Sequence, residues 1–208
     1  MRNVWFSPNG ESWDNTTKAF ADSTAVVAAE PWSVAERGGR WVVIGAIGIG
    51  DEADPGRIPW DERTYGEKYY GENWLIVPKG SQPAAWVSDD LTEWQPISAE
   101  FADEGMDTRL TSVVAGDRGW LIFGIRGSQE PPRIAEWVAW ASIDGIDWEE
   151  FPMAEVYDTP CEPTRYEHCG MIKAHMIGDS VVAYAWTWPL GPHLFGPDLR
   201  WRLLIGEF

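Results

Sequence analysis

The sequence has little of what would tie a chain to a membrane or to an oxidising compartment. Two cysteines in 208 residues fit a reducing compartment. No apolar run approaches the length of a membrane-spanning helix, and the first residues lack the charged and then apolar segment of a signal peptide. We therefore favour a cytoplasmic location and expect no membrane partner.

Basic residues are also scarce. Lys and Arg number 16 against 33 Asp and Glu, which gives a net charge of −17. Nucleic acids and anionic membranes attract basic patches, so we expect neither as a partner. An acidic chain can instead mimic nucleic acid and inhibit a DNA-binding protein. The acids are scattered among predicted turns, however, which favours a plain role in solubility.

Common catalytic and cofactor motifs are missing as well. The sequence has no nucleophile elbow, no phosphate-binding loop and no HExxH motif. Cys161, His168, Cys169 and His175 are ligand types that suit zinc, but neither Cys-x-x-Cys nor His-x₃₋₅-His spacing occurs. Unligated thiols are the favoured interpretation, ahead of a Cys161–Cys169 disulfide and then a metal site. We expect no cofactor and no metal.

What the sequence does have is tryptophan and β-strand patterning. Three segments follow the pattern W-x-S-x-(D/N)-x-x-x-W, and they run from Trp5 to Trp13, from Trp86 to Trp94 and from Trp140 to Trp148. Helical periodicity is nearly absent. Fifteen Trp is far above ordinary usage, and burial between packed sheets explains them more simply than a ligand site does.

Each of these segments predicts a β-hairpin. Asp144-Gly145 and Asn9-Gly10 are typical of two-residue type I′ turns, which need positive φ at both positions. With such turns the register pairs Phe6 with Trp13, Val87 with Trp94 and Ala141 with Trp148, so that each second Trp lies beside an apolar neighbour.

The middle segment departs from this pattern. Leu91 takes the place of glycine, and a γ-branched residue tolerates positive φ badly. We expect a different turn there, with Asp89 or Asp90 bonding its own backbone.

The three segments resemble the Asp-box (BNR) repeats of sialidase-like β-propellers, in which a Ser…Asp-Gly…Trp hairpin joins the outer strands of a blade. The matching residues are Ser7, Asn9, Gly10 and Trp13; Ser88, Asp90 and Trp94; and Ser142, Asp144, Gly145 and Trp148. These boxes are one residue shorter than the family pattern. The resemblance implies a β-propeller whose box face is structural and whose opposite face binds ligands.

A second hairpin recurs upstream of the boxes. The turn and strand at Gly38 to Gly45 return at Gly116 to Gly124 and at Gly178 to Tyr184. Together the hairpins predict an all-β, propeller-like array of four-stranded antiparallel blades, with strands a to d. The predicted pieces are a c–d hairpin at residues 4–16, full blades at 25–98 and 110–151, and terminal strands a, b and c at 171–177, 181–188 and 199–208.

About three and a half blades are visible within a single domain of residues 1–208, and four is about the minimum for a propeller. Terminal strands, a cryptic pair of strands or a second copy of the chain would close the ring; otherwise the chain is a fragment. Open sheet edges favour self-association as a homodimer. A β-sandwich with repeated hairpins is the alternative fold.

The long b–c connection at residues 51–82 is the predicted binding element, because long loops in compact domains are usually functional. We expect a non-catalytic module that binds a protein or glycan through its b–c and d–a loops. The candidate ligand residues are Arg57, Trp60, Arg63, Tyr65, Tyr69, Tyr70, Arg126 and Arg133. A loop that fills a gap in the ring, or adds a hairpin, is the structural alternative.

The catalytic alternative is a sialidase-like glycoside hydrolase. Arg57-Ile58-Pro59 resembles the sialidase Arg-Ile-Pro motif, whose arginine binds the substrate carboxylate, but here it follows the first box. Further arginines, a Tyr–Glu pair and an acid would be needed, and no spacing selects them among the candidates. The catalytic residues therefore stay unassigned.

Overall fold

The computed structural model describes residues 5–7, 11–12, 14–15, 26–49, 81–102, 106–128, 135–151, 167–169, 173–178, 180–189 and 200–207. All regular elements in these ranges are β-strands. No helix among them is long and apolar enough to cross a membrane.

Two complete four-stranded antiparallel sheets follow each other along the sequence. The first has the order β3-β4-β5-β6, with β3 at Val26–Arg37, β4 at Arg40–Ile49, β5 at Ser81–Ser88 and β6 at Gln95–Pro96. The second has the order β7-β8-β9-β10, with β7 at Met106–Gly116, β8 at Gly119–Ser128, β9 at Ala135–Ser142 and β10 at Glu149–Phe151. The two predicted full blades are confirmed.

The remaining strands form a third sheet and a separate hairpin. In the third sheet, β13 (Ser180–Pro189) pairs with β14 (Arg200–Glu207) on one edge. On its other edge it pairs with both β11 (Glu167–Cys169) and β12 (Lys173–Ile177). The hairpin joins β1 (Trp5–Phe6) to β2 (Asp14–Asn15). The predicted terminal strands are confirmed, and β11 is an element that the sequence did not predict.

We call β3, β7 and β12 the inner strands, and the pairing at each of them shows the same kind of register shift. The register slips by one residue between the pairs Pro31↔Gly45 and Ser33↔Ile44, and again between Leu110↔Gly124 and Ser112↔Phe123. A slip of the same sense separates Cys169↔Thr187 from Lys173↔Tyr184. The slips in β3 and β7 are β-bulges at the same level of the first two sheets.

The sheets pack face to face in sequence order. Alternate residues of β8 face opposite sides, as strand geometry requires. Trp120 and Ile122 join the core shared with the first sheet, while Leu121 and Phe123 join the core shared with the third. Trp120, Trp137 and Trp140 are buried in these shared cores, which confirms for these three that tryptophan fills the space between sheets, whereas the buried Trp86 packs against Val43 and Ala84 of its own sheet.

Serine hydroxyls connect the neighbouring inner strands. The backbone N–H of Val113 donates to Ser33 Oγ at 3.2 Å, and that of Ala174 donates to Ser112 Oγ at 3.2 Å. Ser33 and Ser112 occupy equivalent positions after the two bulges. Each inner strand is therefore fixed to the next by the same kind of bond, which places β3, β7 and β12 side by side.

The predicted register of the box hairpins is wrong by one residue in all three. Phe6 pairs with Asp14, Val87 with Gln95 and Ala141 with Glu149, so that seven residues separate the last paired positions each time. Asp144 does not have positive φ, whereas Gly145 does, at 77°. The two-residue type I′ turn is instead realised at Gly38-Gly39, with φ of 61° and 85° between the paired Arg37 and Arg40.

Candidate functional site

The loop at residues 142–148 is held by two side chains. Ser142 Oγ accepts the backbone N–H of Gly145 at 2.8 Å and donates its own hydrogen to Asp144 Oδ1 at 3.1 Å. That same carboxylate oxygen accepts the N–H groups of Ile146 at 2.9 Å and Asp147 at 3.0 Å. These local bonds satisfy the backbone inside a wide loop, which explains why the tighter turn does not form.

The loop at residues 88–94 has the same pattern. Ser88 Oγ accepts from Leu91 N at 2.8 Å, and Asp90 Oδ1 accepts from Thr92 N at 2.8 Å and Glu93 N at 2.9 Å. The prediction that Asp90 bonds its own backbone is confirmed, but the prediction of a different turn is wrong. Leu91 adopts φ of 65°, because the Ser88 and Asp90 bonds fix the loop around it.

The carboxylates of these loops predict an acid-sensitive fold. The N–H of Ile146, followed by that of Asp147, lowers the pKa of Asp144, and the N–H groups of Glu93 and Thr92 lower the pKa of Asp90. A carboxylate with a lower pKa in the folded state contributes stability above its unfolded pKa and loses it as the pH falls. Unfolding free energy should therefore decline below about pH 4.

The matched test is Asp144→Asn, whose amide oxygen can still accept both N–H groups but does not titrate. We expect a shallower fall of unfolding free energy in this variant between pH 5 and pH 3, measured by urea denaturation at each pH. Asp147→Asn is the control, since it removes a carboxylate from the same loop without removing an acceptor of these bonds. If both variants made the pH dependence of the unfolding free energy equally shallow, Asp144 would not be the source of the acid sensitivity.

Two arginines connect the first and second sheets at the end where the boxes lie. Arg37 donates to the carbonyl oxygens of Asp117 at 2.6 Å and Ile143 at 3.2 Å, and its guanidinium lies 5.1 Å from the centre of the Trp120 ring. These contacts bring the β3–β4 turn to the β7–β8 turn and to the third box. The a–b turns of the first two sheets and the third box therefore lie at the same end.

Arg40 completes this connection. It forms a two-bond ion pair with Asp89, at 2.6 and 3.0 Å, and donates to the Asp144 carbonyl oxygen at 2.9 Å. Asp89 and Asp144 belong to successive boxes. Sequence reasoning missed both arginines. Their positions on either side of the Gly38-Gly39 turn are a signal, because residues that flank a two-residue turn pair across the hairpin and place their side chains close together. We call Arg37 and Arg40 with their acceptors the arginine clasp.

A cleft of about 400 Å³ lies between the three inner strands. It is lined by residues 33–36 of β3, 112–115 of β7 and 173–176 of β12. Val34, Glu36 and His175 are exposed, and Lys173 is partly so. The His175 ring stacks on Tyr184 with centroids 6.2 Å apart and planes 22° apart. The lining combines an apolar surface, a flat ring and charged groups, which is the mixture that binds small polar ligands.

The structure describes some of the predicted site residues. Ser7 and all the residues of the second and third boxes lie in the described ranges, whereas Asn9, Gly10 and Trp13 lie outside them. Of the candidate ligand residues, Arg126 is described, and it forms a two-bond ion pair with Glu150 at 2.9 and 3.0 Å. Those outside the described residues are Arg57, Trp60, Arg63, Tyr65, Tyr69, Tyr70 and Arg133.

The metal-like cluster is only partly described. Cys161 lies outside the described residues, while His168 and Cys169 pair with Trp188 and Thr187 within the third sheet. The sequence indicated His175 only as a metal-type ligand. In the structure His175 lines the cleft, and its ring stacks on Tyr184.

Comparison with known proteins gives structural neighbours only. No family model matches the sequence, and none of the curated proteins matches it. One structural neighbour is BT0996 in an RGII complex, with a TM-score of 0.52 and 12% identity over 98% of this protein and 61% of that one. Another is a GH32 β-fructofuranosidase from Bombyx mori, a mutant in complex with sucrose, with a TM-score of 0.51 and 12% identity over 99% of this protein and 39% of the enzyme.

A third neighbour is a sialidase from Trypanosoma rangeli in complex with the inhibitor DANA, with a TM-score of 0.47, 12% identity and coverage of 96% of this protein and 32% of the enzyme. The sequence thus spans about three fifths of the first neighbour and less than half of the others. The fold is an all-β, propeller-like array of four-stranded antiparallel sheets.

Proposed function

We propose that this protein is a non-catalytic propeller module that binds a glycan in the cleft between β3, β7 and β12. The observation that carries the proposal is the lining of that cleft. The C–H face of a sugar can lie against Val34 and the His175 ring, while its hydroxyls bond Lys173 and Glu36. The sucrose bound by one structural neighbour adds support for a saccharide ligand.

The same lining argues against hydrolysis at this place. Glycoside hydrolases use two carboxylates on either side of the scissile bond. Among the described residues that line the cleft, Glu36 is the one carboxylate, and its Oε1 accepts the backbone N–H of Gly39 at 2.7 Å. One oxygen of the Glu36 carboxylate therefore holds the β3–β4 turn while the group faces the sugar, and the described lining supplies no second carboxylate. Ligand contacts from the 51–82 connection remain part of the proposal.

The test is a printed array of oligosaccharides, followed by calorimetry with the strongest binder. His175→Ala should weaken that binding at least tenfold, because the ring that covers one side of the sugar is lost. Ile177→Ser is the matched control, since Ile177 lies two residues along the same strand and is 65% exposed, but does not line the cleft. Equal affinity of both variants would refute this site.

A measurement of turnover distinguishes a glycoside hydrolase from a non-catalytic binding module. The strongest array binder is incubated with the wild-type protein, and release of reducing sugar is followed. The proposal expects none, and steady release would move the assignment to a glycoside hydrolase.

A further inference from the structure

The 142–148 loop contains Asp144-Gly145, the kind of dipeptide in which aspartate isomerises most readily. In that reaction the backbone nitrogen of the following residue attacks the aspartate Cγ, and a glycine has no side chain to shield its nitrogen. Asp144 is exposed, so water can reach its carboxyl group. Asp90 of the related loop is also exposed, but it is followed by Leu91, whose side chain hinders the attack. Of these two aspartates, Asp144 is therefore the more labile by sequence.

The peptide group between Asp144 and Gly145 is held at both ends. Its N–H donates to Ser142 Oγ at 2.8 Å, and its carbonyl oxygen accepts from Arg40 Nη1 at 2.9 Å. For Cγ to be attacked, the amide must lose its proton, and the peptide plane must be free to turn about the Asp144 Cα–C bond. Such a turn breaks both hydrogen bonds and leaves the buried N–H without its acceptor, which is costly. The attacking nitrogen is therefore restrained.

The carboxyl group of Asp144 is restrained as well. Its Oδ1 accepts the N–H groups of Ile146 at 2.9 Å and Asp147 at 3.0 Å, and it accepts the Ser142 hydroxyl at 3.1 Å. The N–H of Ile146, followed by that of Asp147, lowers the pKa of the carboxyl group, so that it stays ionised near neutral pH. An ionised carboxyl group is a poor target for attack, because its oxygen must collect protons before it can leave as water.

We propose that Asp144 is a latent isomerisation site, which the hydrogen bonds of Ser142 and Arg40 to the 144–145 peptide group protect in the folded protein. When the loop opens, the Gly145 nitrogen forms a bond to Cγ. One carboxyl oxygen leaves as water, with the amide proton and one further proton that the solvent supplies. A water molecule then adds to the Asp144 carbonyl carbon of this succinimide and breaks its bond to the Gly145 nitrogen, which gives isoaspartate.

Isomerisation at Asp144 would dismantle the loop. The main chain would run through Cγ and gain one methylene group, so the carboxylate that accepts from Ile146 and Asp147 would be lost from its place. The carbonyl group that accepts from Arg40 would become a free carboxylate, and the change would reach the arginine clasp between the first and second sheets. None of these residues lines the glycan cleft, so this site goes beyond the proposed function.

The test follows the formation of isoaspartate at residue 144 at neutral pH. Peptide mapping by chromatography and mass spectrometry separates the isoaspartyl peptide and detects the succinimide by its loss of one water. The folded wild-type protein should react about tenfold more slowly than the same protein in urea. Ser142→Ala should react about tenfold faster than the folded wild type, because loss of the acceptor favours the open loop. Ser88→Ala is the matched control, since it removes the equivalent bond from the related loop and should leave the rate at residue 144 unchanged.

Two results would overturn the proposal. Equal rates in folded and urea-unfolded wild-type protein would show that the fold gives Asp144 no protection. A wild-type rate in Ser142→Ala, with circular dichroism showing a folded variant, would show that the Ser142 bond is not the source of protection. If Ser142→Ala unfolds, Asp144→Asn decides, because its Asn-Gly sequence releases ammonia by the same ring closure while Ser142 is intact. Folded Asp144→Asn should deamidate about tenfold more slowly than in urea, and equal rates would refute the site.

Discussion

Replacing Gly119 with alanine is expected to lower the free energy of unfolding by about 3–5 kcal/mol. Gly119 has φ of 150°, where a side chain is strained. A Cβ there would overlap the carbonyl oxygen of Ser142 and lie 3.1 Å from the Ile143 Cα. Both obstacles are backbone atoms at the start of the 142–148 loop. The loop can yield only by giving up the bonds of Ser142 and Asp144.

Gly38→Ala is the matched control for this prediction. Gly38 also has positive φ, 61°, but a Cβ at this position has nothing within 4 Å. It should therefore cost about 1–2 kcal/mol, the backbone strain without the overlap. Both variants are compared by urea denaturation followed by far-ultraviolet circular dichroism. Equal losses would show that the close approach of β8 to the loop has no energetic weight.

Replacing Trp140 with alanine should lower the free energy of unfolding by about 3–5 kcal/mol. The side chain is 3% exposed and lies in the core between the first and second sheets. Its ring meets that of Phe101 edge to face, with centroids 5.4 Å apart. Removing it leaves a cavity between two sheets whose backbones are fixed by their own ladders, so the space cannot close.

The comparison for Trp140 is Trp148→Ala. Trp148 is half-buried, lies 6.3 Å from Phe101 between ring centroids, and donates its indole N–H to the Gly145 carbonyl oxygen at 3.2 Å. Trp148→Ala should lower the free energy of unfolding by a measurable amount, but by less than Trp140→Ala does. A variant at position 148 with nearly wild-type stability would show that this Trp is not part of the core between the sheets.

The parts of the fold that the sequence predicted are local. Glycine pairs such as Gly38-Gly39, followed by period-two apolar strands, locate the hairpins and hence the two full sheets. The box register was missed by one residue because Ser142 and Asp144 capture backbone N–H groups, so that the loop widens beyond the tight turn that Asp-Gly favours. Leu91 shows the same effect, since the loop imposes a conformation that its own preference disfavours.

The parts that the sequence missed depend on distant contacts. Arg37 meets residues 80 and 106 positions away, and nothing local indicates which carbonyl groups it will reach. The cleft likewise assembles from β3, β7 and β12, and its ring residue His175 attracted attention only as a metal-type ligand. Residues 51–80 of the aromatic connection lie outside the described residues, and Ser81 and Gln82 belong to β5, so the candidate ligand residues of the connection remain predictions.

The arginine clasp also bears on how a protein of this kind grows by duplication. A copied blade would bring its own self-bonded loop, because the same seven-residue connection closes each box hairpin. The copied blade would not bring a second arginine clasp to connect it to its neighbour. The positions of Arg37 and Arg40, paired across the first a–b turn, are taken by Gly116 and Gly119 in the next sheet. The blades are therefore alike in construction but not interchangeable in order, and a permuted sequence would separate the arginines from the carbonyl groups they bind.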